Sequence, residues 1–140
     1  MKSMFISYDH DDQCFLNDIK SIQFNRNNPV SFIDRSLVEP VRNEYGHVNR
    51  RMPFDPASKA VRSLIHRQLN DSSKLLVLIG RDTHSSKWVQ WEIETFKGLK
   101  TRPDILVMRV KGNEYAGGPS NTAGHPIKNW NVSDLENWLA

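Results

Sequence analysis

The sequence holds one cysteine in 140 residues. Cys14 therefore has no internal disulfide partner, and a cysteine-based metal centre has too few ligands. It is read instead as a small apolar residue on a first helix. No run approaches the roughly 20 apolar residues that a membrane-spanning helix needs. Glycine patterns that cradle phosphate are missing: there is no GxxxxGK[ST], and no GxGxxG follows a strand-like run. His10, His47, His66, His84 and His125 show no HExxH spacing, which argues against metal hydrolysis. No GxSxG elbow points to a serine hydrolase. Neither charge sign dominates, with 19 basic and 16 acidic residues and a net charge of +3. Basic residues do group at Arg42, Arg50 and Arg51, and at Lys97, Lys100 and Arg102. They lack the aromatic interleaving or finger spacing of a nucleic-acid reader, so neither nucleic acid nor membrane is an expected partner. Strand-like Met4-Phe5-Ile6 begins almost at once, leaving no room for a signal-peptide pattern, and a cytoplasmic location is the default expectation.

What is present suits one domain. Hydrophobic residues make up 38% of the chain, enough for one core. Residues 4–8 form a short apolar run and a first strand. Asp11 or Asp12 can cap the helix that follows, whose stripe is Phe15, Ile19 and Ile22 with Leu16 beside it. Residues 30–34 read as a second strand. Residues 35–54 have no convincing period, and a loop of that length in a compact domain is usually functional or disordered. Asp55 as N-cap and Pro56 at the first position open a helix that buries Ala60, Val61, Leu64, Ile65 and Leu69. Residues 75–80 are the clearest strand, apolar throughout and so covered on both faces. Residues 87–99 read as a helix and 105–110 as a fourth strand. A Gly/Asn/Pro/Ser-rich stretch over 112–126 precedes a short last helix. Ser133-Asp134-Leu135-Glu136 has capping-box spacing for that helix, which carries Leu135, Trp138 and Leu139.

Alternating strands and helices imply a three-layer α/β domain, flavodoxin-like, with a central parallel sheet. Right-handed crossovers and a 2-1-3-4 order make strands one and three neighbours at a topological switch point. Ligands bind there, beyond the carboxyl ends of the strands. Residues 7–12, 34–36 and 80–88 then surround one crevice.

Glu92 borders that crevice, one turn into its helix. At about 100° per residue, Trp88, Glu92, Phe96 and Leu99 share one side of the helix, flanked by Val89 and Ile93. Gln90, Glu94 and Lys97 share the wet side. A carboxylate in an apolar stripe is costly unless it is paired or lines a cleft. Two readings follow: a structural acid, paired with a buried Arg or reaching water at the stripe's end, or a functional acid.

A phosphoacceptor receiver domain shares the architecture. Asp11 and Asp12 can imitate its acidic pair and Lys111 its lysine. Its acceptor Asp belongs at the end of the third strand, which here ends in Gly80, with Asp82 two residues beyond.

The run Met4-Phe5-Ile6-Ser7-Tyr8 is followed by Leu69-Asn70-Asp71-Ser72-Ser73, leading into Leu76-Val77-Leu78-Ile79-Gly80. Thr83, Ser86-Lys87-Trp88-Val89 and Trp91-Glu92-Ile93 come next. Together these resemble the TIR-like proteins of the Thoeris antiphage defence systems, and the wider TIR-like group of flavodoxin-like fold. The resemblance covers roughly residues 1–112, with 113–140 as a C-terminal extension of a single TIR-like domain, 1–140. It implies an enzyme that cleaves the bond between nicotinamide and ribose in NAD. NAD is then a substrate, and no separate cofactor is implied. Glu92 matches the essential glutamate on the helix after the third strand. The resemblance also implies that a sensor of infection makes a cyclic or conjugated ADP-ribose-derived signal, which activates a separate effector protein. TIR enzymes generally complete their pockets in assemblies, so self-association on activation is expected, with residues 35–54 as the suspected contact.

Departure of nicotinamide leaves an oxocarbenium-like ribose cation, which a nearby carboxylate stabilises, most strongly where water is scarce. Nicotinamide leaves neutral, so no general acid is obligatory. Around Glu92, Trp88 is one turn away and can stack on a flat ring or simply pack in the core. Ser7 and Tyr8 can contact ribose or phosphate, although a hydroxyl at Ser7 can equally bond to backbone. Asp34, Arg35 and Ser36 can reach the same crevice, with Arg35 pairing with pyrophosphate. The alternative function is a non-catalytic TIR-like sensor or adaptor that acts by homotypic association.

Overall fold

Among the described residues five strands carry the sheet: β1 (Lys2–Ser7), β2 (Phe32–Asp34), β3 (Lys74–Ile79), β4 (Ile105–Arg109) and β5 (Ile127–Lys128). The α-helices among them are α1 (Lys59–Asp71), α2 (Lys87–Leu99) and α3 (Val132–Leu139). The structure, a computed structural model, describes residues 2–8, 32–34, 53 and 55–139. The expected first helix, with Cys14, Phe15, Ile19 and Ile22, lies outside the described residues, as does nearly all of 35–54.

The strand order is β2-β1-β3-β4-β5, and every described pairing is parallel. The expected 2-1-3-4 order is present, with one strand added at the edge. β3 is central because it can be: all six of its residues are buried, so it needs a neighbour on each side and a layer on each face. β1 and β4 supply the neighbours.

Side chains alternate between the two faces of the sheet. Phe5, Leu75, Val77, Ile79 and Val107 pack with Ile65 and Leu69 of α1 and with Val89, Ile93 and Phe96 of α2. Met4, Ile6, Leu76, Leu78 and Met108 pack on the other face with Leu135 and Leu139 of α3. Helices on both faces of one parallel sheet make the three-layer α/β architecture. Fully burying a side chain such as Phe96 contributes about 1.5–3 kcal/mol.

Several local expectations change. Ala60 is exposed and Leu64 is 39% exposed, so α1 buries a narrower stripe centred on Ile65 and Leu69. Pro56 opens a 3-10 turn, Pro56–Ser58, rather than the α-helix itself, with Ser58 N–H donating to Asp55 O. The α-helix starts only at Lys59. At α3 the capping residue is Asn131, not Ser133: its Oδ1 accepts from Asp134 N–H at 3.1 Å, and its carbonyl accepts from Leu135 N–H. α3 is also pinned at the amino end of the sheet. Trp138 Nε1 donates to Asp104 Oδ1 at 2.7 Å, Lys74 Nζ pairs with Asp104 Oδ2 at 2.5 Å, and that ammonium lies 4.7 Å from the Trp138 ring centroid. Such a contact favours a cation over an aromatic face.

Candidate functional site

α2 begins where it does because Ser86 caps it. Ser86 Oγ accepts from Val89 N–H at 3.3 Å, satisfying one of the helix's free amide groups. The turn before it is held by Thr83, which is buried and accepts from Gly80 N–H at 2.8 Å. Val89, Glu92, Ile93 and Phe96 face the sheet and are buried. Trp88 and Leu99 flank them half-buried, and Glu94 is exposed. The expected residues form the stripe, but its centre shifts: Val89 and Ile93, expected at its flanks, lie in the middle, and Trp88 and Leu99 lie at its margins.

The expected wet side is not entirely wet. Gln90 and Lys97 are half-buried because the segment after β4 folds over them. Asn121 Nδ2 donates to Gln90 O at 2.8 Å, and Lys97 Nζ donates to Asn121 O at 2.6 Å. Asn121 Oδ1 is buried without a hydrogen-bond partner. Nothing in the sequence pattern of the polar 112–126 stretch signals that it docks on this helix.

Glu92 is only 7% exposed. Ser7 is fully buried at the carboxyl end of β1, and its Oγ donates to Glu92 Oε1 at 3.0 Å. The contact joins residues 85 apart in the chain. No Lys, Arg or His forms an ion pair with Glu92 among the described residues. The structural acid paired with a buried Arg is therefore not what these residues build. Loss of hydration pushes the Glu92 carboxyl up to about 8, and the hydrogen bond from Ser7 pulls in the opposite direction.

The remaining candidates separate. Tyr8 is the next residue after Ser7 and so turns to the opposite face, where it packs half-buried against the α3 side of the core. Trp88 packs against the α1/α2 side and meets Trp91 edge to face, with ring centroids 5.7 Å apart. Trp91 is an aromatic neighbour that the helical spacing did not single out. Asp34 ends β2 with its backbone in register with Met4 of β1. Arg35 and Ser36 lie outside the described residues. The structure thus joins Ser7 to Glu92, puts Trp88 on the same helix one turn earlier, and sets Tyr8 across the sheet. Among the described residues no group of three His, Cys, Asp or Glu side chains stands together as a metal site. None of the described helices is long and apolar enough to cross a membrane.

A buried acid at the carboxyl edge of a parallel sheet, beside its switch point, is a plausible place for chemistry on any fold of this type. Comparison with known proteins narrows it. A family model described as "Thoeris protein ThsB, TIR-like domain" matches residues 5–115. No curated protein matches the sequence. Among solved structures, a prokaryotic SEFIR domain is similar in fold, with a TM-score of 0.58 and 12% identity over 99% of each chain. That likeness reaches through β5 and α3, beyond the end of the family match, and concerns fold alone. With the family model covering most of its length, the chain belongs to the TIR-like domain family of the Thoeris protein ThsB.

Proposed function

We propose that this TIR-like domain cleaves NAD at the nicotinamide–ribose bond, and that Glu92 is the residue that makes the step fast. The observation that carries the reading is a buried carboxyl group beside the carboxyl end of β1, with one hydroxyl partner and no cation beside it among the described residues. A group of that kind costs the fold stability and suits a site that receives positive charge from a ligand.

The chemistry balances simply. The C1′–N1 bond breaks, its electron pair goes to the pyridinium nitrogen, and neutral nicotinamide departs. The ribose becomes an oxocarbenium-like cation. Glu92, ionised, stabilises that charge at low local dielectric. Water then attacks C1′ and loses a proton, giving ADP-ribose. Attack by a nucleophile of the ADP-ribose itself, or of a conjugated partner, gives the cyclic or conjugated signal instead. At neutral pH the free protein holds Glu92 mostly protonated. The pyridinium of bound NAD favours the carboxylate, so binding releases a proton.

Trp88, one turn before Glu92 on α2, is assigned to stack on the nicotinamide ring, and Asp34, Arg35 and Ser36 to hold the ribose and pyrophosphate. Tyr8, which packs on the opposite face of the sheet, takes no part in this assignment. The product activates a separate effector protein, and the active form is self-associated. The family match and the α/β fold support this signalling role.

The test is product analysis. Cells expressing the chain are sampled before and after phage challenge, and purified protein is incubated with NAD. Nicotinamide and an ADP-ribose derivative are expected by mass spectrometry. NAD left intact in both settings would return the chain to the adaptor reading.

A further inference from the structure

β1 is apolar through Met4, Phe5 and Ile6, then places a hydroxyl at the buried position that faces α2. Phe5, the preceding residue on that face, sits wholly among aliphatic and aromatic side chains. A buried hydroxyl without a partner costs about 1–3 kcal/mol, and a buried carboxyl costs more. Ser7 and Glu92 offset part of that cost for each other. An apolar pair of the same size would serve the fold as well or better. Two polar groups set together inside an apolar layer, from elements far apart in sequence, thus point to a use beyond packing.

We propose that Ser7 is a positioning residue: its hydroxyl holds the Glu92 carboxyl in one orientation at the head of the crevice, with Oε1 engaged and Oε2 left for the ligand. The proposal deepens the reading of Glu92 as the reacting carboxylate and rests on it. Ser7 is restrained more tightly than a loop residue, because the pairing of β1 with β3 extends to Ser7 itself. Its backbone is in register with Val77 of the central strand. Its only O–H is spent on Oε1. No donor among the described residues meets Oε2. A hydrogen bond donated to a carboxylate favours its ionised form, the one that stabilises a ribose cation. Ser7 thus acts through Glu92 rather than on the substrate.

Ser7→Ala removes one oxygen and leaves the strand's packing intact. The experiment follows two quantities on the full chain. One is the midpoint of the Glu92 side-chain carboxyl titration, read by its carbon-13 shift. The other is the pH profile of kcat/KM for NAD cleavage, which reports ionisations of the free protein. In the wild type both should be governed by an ionisation near pH 8. In Ser7→Ala both should move to higher pH together, with kcat/KM at pH 7 falling about 3- to 10-fold, corresponding to a shift of about half to one unit. Ser7→Thr, which keeps the hydroxyl, should restore the wild-type midpoint if its melting shows that the added methyl is accommodated. An unmoved midpoint in Ser7→Ala overturns the proposal. So does a moved midpoint with an unmoved rate profile, since the bond would then serve only the fold. Failure of the underlying reading looks different: Glu92→Gln would keep full turnover while the Ser7→Ala midpoint still moved.

Discussion

At the residue scale the protein carries a group that folding alone would avoid. Glu92 ionises near 4.5 in the unfolded chain and near 8 in the fold. Between those values the folded state holds a proton that the unfolded state has lost. Stability therefore falls as pH rises from about 4.5 to 8, at up to about 1.4 kcal/mol per unit, and the loss is complete above 8. Glu92→Gln removes this dependence. Thermal melting of the two proteins should coincide near pH 4.5, and the Gln variant should melt several degrees higher at pH 8–9. A Gln variant less stable at pH 8 would reveal a cationic partner for the carboxylate and reject the account of an unpaired acid. Glu92 was legible in the sequence because a single charge interrupts a helical apolar stripe, a local pattern. Its bond to Ser7 was not, because strand register and helix rotation decide it, and both are tertiary.

At the element scale α2 is positioned from both ends. Ser86 fixes its start, and the turn at residues 120–122 grips its middle through Asn121. That turn reaches the sheet because Gly118 lies close to the carboxyl end of β3. A Cβ there would sit 2.9 Å from Thr122 Oγ1 and 3.2 Å from Ile79 Cδ1. Thr122 is buried and donates to Pro119 O at 2.6 Å, so it cannot easily yield. Gly118→Ala should cost about 1–3 kcal/mol in denaturant unfolding. An unchanged midpoint would mean that the turn does not bear on the sheet. At the other end of the tail, Asn131→Ala should cost about 1 kcal/mol through loss of the α3 cap, whereas Ser133→Ala should cost little. The five-residue apolar run of β3 that follows Lys74, and the 3.6-residue period of α2, announced themselves. β5 did not, since two residues carry no period. The Ser133 spacing misled because a capping box and an Asn cap two residues earlier look alike until the first helical turn is placed.

At the scale of the whole molecule, the parallel order β2-β1-β3-β4-β5 puts every strand's carboxyl end on one edge, with the switch point between β1 and β3. Alternating strand and helix patterns sufficed to read the order of the first four strands, 2-1-3-4, because right-handed crossovers leave few choices. The site's depth was less legible: residues 34–36 were assigned to the crevice by topology alone, and of these only the backbone of Asp34 is described. The expected assembly makes one prediction here. Light scattering should show a larger species under activating conditions than at rest, and full turnover by a strictly monomeric protein would exclude association as a requirement.

The most direct measurement pairs NAD turnover with melting temperature in Glu92→Gln at neutral pH. The substitution keeps the size and the hydrogen-bonding reach of the side chain, so the hydrogen bond from Ser7 should persist, while the charge that stabilises the ribose cation is gone. Turnover should be lost, with a melting temperature equal to or above that of the wild type. Retained turnover would contradict the central claim.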